Sequence, residues 1–162
     1  MNTQQYLWLV PIFFAVHNLE EVYGMKKWPR KTSLPSQLEV KNTQFVIAVS
    51  ILTAFVIIIT FWGINQANHD FGIGVILAIQ AIVFINSLIP HIFVALLHRK
   101  YNPGLVTSIF INIPFSVHLF RQALVEKFLG LDEMLVMLAI APLAMIVLIR
   151  ASLKAAELLQ PR

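Results

Sequence analysis

The chain contains no cysteine. Disulfides, thiolate nucleophiles and sulfur-ligated metals are therefore excluded, and any metal must be held by nitrogen and oxygen donors. Charge is scarce as well. Only 12% of the 162 residues are Asp, Glu, Lys or Arg, and just eight of them are acidic. A soluble domain carries about 25% charged residues, so a surface that faces water on every side is excluded. Internal repeats, low-complexity tracts and linkers are also lacking, which leaves one domain over residues 1–162. The formal charge of +4 would suit nucleic acid, but the basic residues lie between apolar segments, where they orient a membrane protein. The expected partner is the lipid bilayer, and nucleic acid is not expected.

What the chain does have is hydrocarbon, with 58% of its residues hydrophobic. A bilayer core of roughly 30 Å needs about 20 helical residues to cross it. Four segments reach that length: Thr43 to Ile64, Phe71 to Leu97, Gly104 to Leu124 and Met134 to Leu153. A fifth begins with "YLWLVPIFFAV", Tyr6 to Val16, whose purely apolar part is only 11 residues long. It spans only if its helix continues through His17, Glu20 and Glu21 to about Met25. A cleaved signal peptide fits less well, because no Lys or Arg precedes Lys26 and no small-residue cleavage pattern follows. The expectation is an all-α polytopic membrane bundle of five transmembrane helices.

The loop charges orient that bundle. Lys26, Lys27, Arg30, Lys31 and Lys41 fall between the first two segments, and Arg99 and Lys100 between the third and fourth. Arg150, Lys154 and Arg162 end or follow the last segment, so ten of the twelve basic residues share one side. The positive-inside rule then places the N-terminus outside and the C-terminus in the cytoplasm. A bacterial inner (plasma) membrane is the expected location.

Several polar residues lie at membrane depth. His17, Glu20, Glu21 and Gly24 are spaced i, i+3, i+4 and i+7 and share one helical face. His17 and His91 both lie roughly 10–12 Å inside the cytoplasmic end, and Asn112 about 13 Å. Ionisable residues at such depth are costly and point to function. Pro90 and Pro114 withhold hydrogen bonds from the carbonyls of Asn86 and Phe110, and both would kink their helices near that depth.

His-x-x-Glu followed by a second carboxylate has the spacing of the inverted zinc motif His-x-x-Glu-His, with Glu21 in place of the last histidine. In that reading His17, Glu21 and His91 ligate a divalent metal such as zinc, and Glu20 serves as general base. A di-iron site would need about four carboxylates, and the remaining acids lie in loops or at helix ends. Two metal-free readings stay open. One is a proton-shuttling isomerase acting on a lipid-soluble substrate; the other is transport or binding of a small molecule or ion along the same polar face. In the bland reading, Glu20 and Glu21 simply pair with Lys26, Lys27 or Arg30. His98 reads as a boundary residue or a further ligand, and His118 faces the outer half of the bundle. Asn102 and Pro103 read as a helix start, with Asn102 as N-cap and Pro103 at the first position.

Two stretches, "HNLEE" at His17 to Glu21 and "YNPG" at Tyr101 to Gly104, together resemble the HXXEE family of small integral membrane proteins. That family pairs its namesake motif with a further histidine and a Tyr-x-Pro-Gly motif. The resemblance implies that His17, Glu20, Glu21 and Tyr101 to Gly104 belong to one shared site, with His91 the better match than His98 for the further histidine. It supplies no reaction, and the oligomeric state stays open.

Overall fold

The computed structural model describes residues 3–27 and 41–160. Arg30, Lys31 and Arg162, which helped to orient the bundle, lie outside the described residues. Among these residues the chain is all helical. In order, it forms α1 (Thr3–Leu7), α2 (Leu9–Lys27), α3 (Asn42–Ile64) and α4 (His69–Asn86). A π-helical segment (Ser87–Phe93) and α5 (Val94–His98) continue α4. After a tight turn come α6 (Leu105–Thr107), a second π-helical segment (Ser108–Asn112) and α7 (Ile113–Val125), and α8 (Leu131–Leu158) closes the chain.

The break between α1 and α2 has a simple cause. Pro11 lacks the N–H that would meet the carbonyl of Leu7, and α1 ends at Leu7. Prolines also accompany both π segments. Pro90 lies inside the first, and it deprives the carbonyl of Asn86 of its usual i+4 donor; i→i+5 bonding offers the amide of His91 instead. Pro114, two residues past the second segment, deprives the carbonyl of Phe110 in the same way. The kinks expected from these prolines thus take the form of widened helical turns.

Side-chain contacts fix which ends of the helices meet. The amide of Thr3 donates to the carboxylate of Glu126 at 3.1–3.2 Å, so the start of α1 lies beside the end of α7. At the opposite end Gln44 Nε2 donates to the carbonyl of Leu153 at 3.1 Å, which places the start of α3 against the end of α8. The α1–α2 helix therefore runs the height of the bundle, from the Glu126 end to the Tyr101 end.

Four helices, not the expected five, are long and apolar enough to cross a membrane among the described residues: Asn42–Ile64, Asp70–His98, Leu105–Val125 and Leu131–Leu158. The amino-terminal helix falls short because His17, Asn18, Glu20 and Glu21 interrupt its apolar run before Lys26 and Lys27 end it. His17 and Asn18 are buried against protein, so tertiary contacts supply what hydrophobicity does not. The apolar core joins Leu7 and Val10 to Ile73, Ile76, Leu77, Leu119 and Phe120. Phe13 meets Phe115 edge-on at 4.8 Å, extending this core along α2.

Candidate metal centre

The turn after α5 positions the site. Leu105 N donates to the carbonyl of Asn102 at 3.0 Å, and Gly104 has φ 89° and ψ −7°. Proline at the second position and positive φ at the third define a type II β-turn over Asn102–Leu105. The helix consequently starts at Leu105 with Gly104 as its N-cap, rather than at Asn102 and Pro103. Asn102 is used elsewhere: its Nδ2 donates to the carbonyl of Pro90 at 2.5 Å, tying the turn to the first π segment. Pro103 packs on α2, where a Cβ at Gly24 would lie 2.7 Å from Pro103 Cβ.

Gly104 answers two demands at once. Its backbone conformation suits a residue without Cβ, and a Cβ there would lie 2.5 Å from His91 Cε1 and 2.9 Å from His17 Cε1. The turn glycine is therefore wedged against both imidazoles. Those rings lie edge to face, 4.7 Å between centroids and 87° apart in plane.

His17, Glu21 and His91 converge. Each offers one ligand atom, and the three atoms lie within 4.8 Å of one another. Tetrahedral ligation at about 2.0–2.2 Å per bond separates ligand atoms by roughly 3.4 Å. His91 Nε2 and Glu21 Oε1 are already 3.2 Å apart. Asn86 stands between the two rings: its Nδ2 is 3.3 Å from His17 Nε2 and 3.2 Å from His91 Nε2. In a regular α-helix residues five apart point roughly 140° away from each other. The π turn between Asn86 and His91 closes that angle.

Proton counting assigns the His17 tautomer. Thr107 Oγ1 donates its single proton to Glu20 Oε2 at 2.6 Å, in preference to the carbonyl of Gly104 at 3.3 Å. It must then accept from His17 Nδ1, 2.7 Å away. The proton of His17 sits on Nδ1, and the Nε2 lone pair is left facing Asn86 and His91. A metal-binding histidine is commonly fixed by such a bond from its other nitrogen.

Adjacent in sequence, Glu20 and Glu21 have different surroundings. Glu21 contacts His91. Glu20 accepts from Tyr101 Oη at 2.7 Å, Val106 N at 3.1 Å, Thr107 N at 2.7 Å and the Thr107 hydroxyl. Its carboxylate thereby occupies the amino end of the Leu105–Val125 helix, where unpaired amides and the helix dipole favour negative charge. Outside the membrane-spanning segments, burial raises the Tyr101 hydroxyl from its ordinary value to about 12, with the bond to Glu20 and its charge adding to the effect.

The other sequence-derived residues fall in different places. Asn112 is buried in the second π segment; among the described residues its side-chain amide has no hydrogen-bond partner. Ser87 Oγ, Ser108 Oγ and His91 Nδ1 are likewise buried and unpartnered. His98 ends α5 and is exposed, and it is not among the groups that converge. His118 stacks edge-on with Tyr6, 4.7 Å between centroids, in the other half of the bundle. Sequence reasoning missed Asn86 and Thr107. The signal for Asn86 was its position five residues before His91 across a proline. Thr107 was marked only as a hydroxyl one turn into its helix.

The curated protein "Uncharacterized protein YrkK" of Bacillus subtilis (strain 168) is 23% identical over 147 residues, which cover 91% of this chain and 92% of that protein. No solved structure matches the chain. The family model described as "Protein of unknown function with HXXEE motif" matches residues 8–119, from the start of α2 through the turn at Gly104 and into α7. With more than half of its length matched, and with the motif histidine and glutamates at the centre of the site, the chain belongs to the HXXEE family.

Proposed function

We propose that His17, Glu21 and His91 hold a divalent metal such as zinc, and that the chain is a metal-dependent, hydrolase-like membrane enzyme acting on a lipid-soluble substrate. One observation carries the reading. His91 Nε2 lies 3.2 Å from Glu21 Oε1, and one ligand atom each of His17, Glu21 and His91 lie within 4.8 Å of one another. That spacing is close to the separation of ligand atoms about a tetrahedral ion. A cation there would be met by the Nε2 lone pair of His17 as well. When bound, such an ion polarises a carbonyl and lowers the pKa of water, which is what hydrolysis at neutral pH needs.

The chain's own residues prepare that chemistry. Glu20 orients the Thr107 hydroxyl, which orients His17, while Gly104 and Asn86 set the spacing of the two rings. Glu20 is thus better placed as a positioning residue than as a general base, since its oxygens already serve four donors. Of the described basic residues, Lys41, Arg99, Lys100, Arg150 and Lys154 belong to helix ends on the side that holds the site, and Arg121 and Lys127 to the opposite side. By the positive-inside rule this end faces the cytoplasm of a bacterial plasma membrane, with Thr3 outside and the end of α8 inside. The whole chain is read as one transmembrane unit.

Metal analysis of purified protein tests the proposal. The wild-type chain should carry stoichiometric metal, and His17→Ala and His91→Ala should carry only background. If wild type and both variants hold none, even after incubation with zinc, the metal reading fails. The metal-free alternative, a proton relay along His17, Thr107 and Glu20, would then take its place.

A further inference from the structure

Beside the metal centre lies a cavity of about 260 Å³ bounded by α2, α3, α4 and α8. Glu21 and Asn86 form part of its wall, and both touch His91 Nε2. The rest of the lining is hydrocarbon, such as Ala48, Val83 and Leu148, except for Asn18 and Ser152. Those two are engaged elsewhere: Asn18 Nδ2 donates to Thr53 Oγ1 at 2.8 Å, and Ser152 Oγ donates to the carbonyl of Ile149 at 2.9 Å. Polar chemistry available to an occupant is therefore concentrated at Glu21 and Asn86.

We infer that this cavity holds a single unbranched aliphatic chain with its polar end at Glu21 and Asn86. The inference rests on the reading of Glu21 as part of the metal centre, and it names the class of substrate that centre would meet. Size limits the occupant to one chain, since small-molecule sites usually measure about 300–1,000 Å³ and this cavity lies just below that range. The head is met by Glu21 and Asn86 and by the cation that Glu21 would help to hold. Among the described residues no Lys, Arg or His lines the cavity.

Photo-crosslinking of the full-length protein in detergent with a diazirine-bearing long-chain fatty alcohol tests this. Labelled peptides should map to α3 around Ala48 and to α8 around Leu148. Unlabelled fatty alcohol should displace the probe. Ala48→Trp, or Leu148→Trp if the first does not fold, should fill the cavity and remove labelling while metal content stays at the wild-type level. His17→Ala should lose metal yet keep the label, so the metal reading and the chain reading fail separately. Labelling outside this lining, no displacement by unlabelled fatty alcohol, or undiminished labelling in a folded tryptophan variant would overturn the proposal.

Discussion

The two ends of the bundle are built by different means. Around Leu77, Leu119 and Phe120 the helices are regular and the contacts are apolar. Around His17, Glu20 and Gly104 two helices widen into π turns, a left-handed glycine reverses the chain, and one carboxylate gathers four donors. The first end can trade one hydrocarbon group for another with modest loss. The second depends on individual atoms. Stability and ligand binding should therefore separate when the two ends are mutated in turn.

The largest effect on stability belongs to the regular end. Leu77→Ala removes a fully buried side chain, and such truncations cost about 2–5 kcal/mol. Thermal unfolding in detergent should shift down markedly while metal content per folded chain stays at the wild-type value. Loss of metal from this variant would mean that the two ends are not independent. Gly104→Ala attacks the other end. Positive φ in a non-glycine residue costs of order 1–3 kcal/mol, and the new methyl would also press on His91 and His17. Here metal binding should be lost together with some stability, in contrast to Leu77→Ala.

Thr107→Val keeps the shape of the side chain but removes the hydroxyl between His17 and Glu20. Removing such an outer partner typically lowers metal affinity by about 10–100-fold, so a competitive chelator titration should show a weaker site. Thr107→Ser, which restores the hydroxyl, should recover most of the affinity. A wild-type affinity in Thr107→Val would separate the relay from the centre.

How far this contrast was legible in the sequence depends on the type of signal. The four apolar helices were visible because lipid imposes a length and a composition on them. Their observed limits fall within one residue of the expected ones at most ends, and α8 is longer by three residues at its start and five at its end. The first helix was harder, since its polar half is covered by neighbouring helices, and hydropathy does not register that cover. His17, Glu21 and His91 stood out because an ionisable group in hydrocarbon is conspicuous. Asn86 and Thr107 did not, because neutral polar residues are common in membrane helices and their roles arise from tertiary contact. The Asn102 cap was misplaced for a related reason. Asn-Pro-Gly suits a type II turn as well as a helix start, and the Pro90 carbonyl, distant in sequence, claims the Asn102 side chain.

The smallest effect belongs to the outermost contact of the polar end. Tyr101→Phe removes one hydrogen bond to Glu20 and leaves the other three donors. A typical bond contributes about 0.5–1.5 kcal/mol, and partial exposure of Tyr101 to solvent reduces that further. Its signature is better sought in titration than in unfolding. The hydroxyl is pushed up to about 12 by burial, by the bond to Glu20 and by the charge of Glu20. Because the folded value lies above the ordinary one of 10.0, the stabilisation is complete below pH 10 and is lost as the pH rises through about 12. Phenolate absorbance should show a late step near pH 12 that disappears in Tyr101→Phe. In Glu20→Gln the neutral amide replaces the carboxylate, and the step should move down towards its ordinary position. If the late step stays put in Glu20→Gln, burial alone sets it, and the carboxylate at this helix end does not hold the turn from outside.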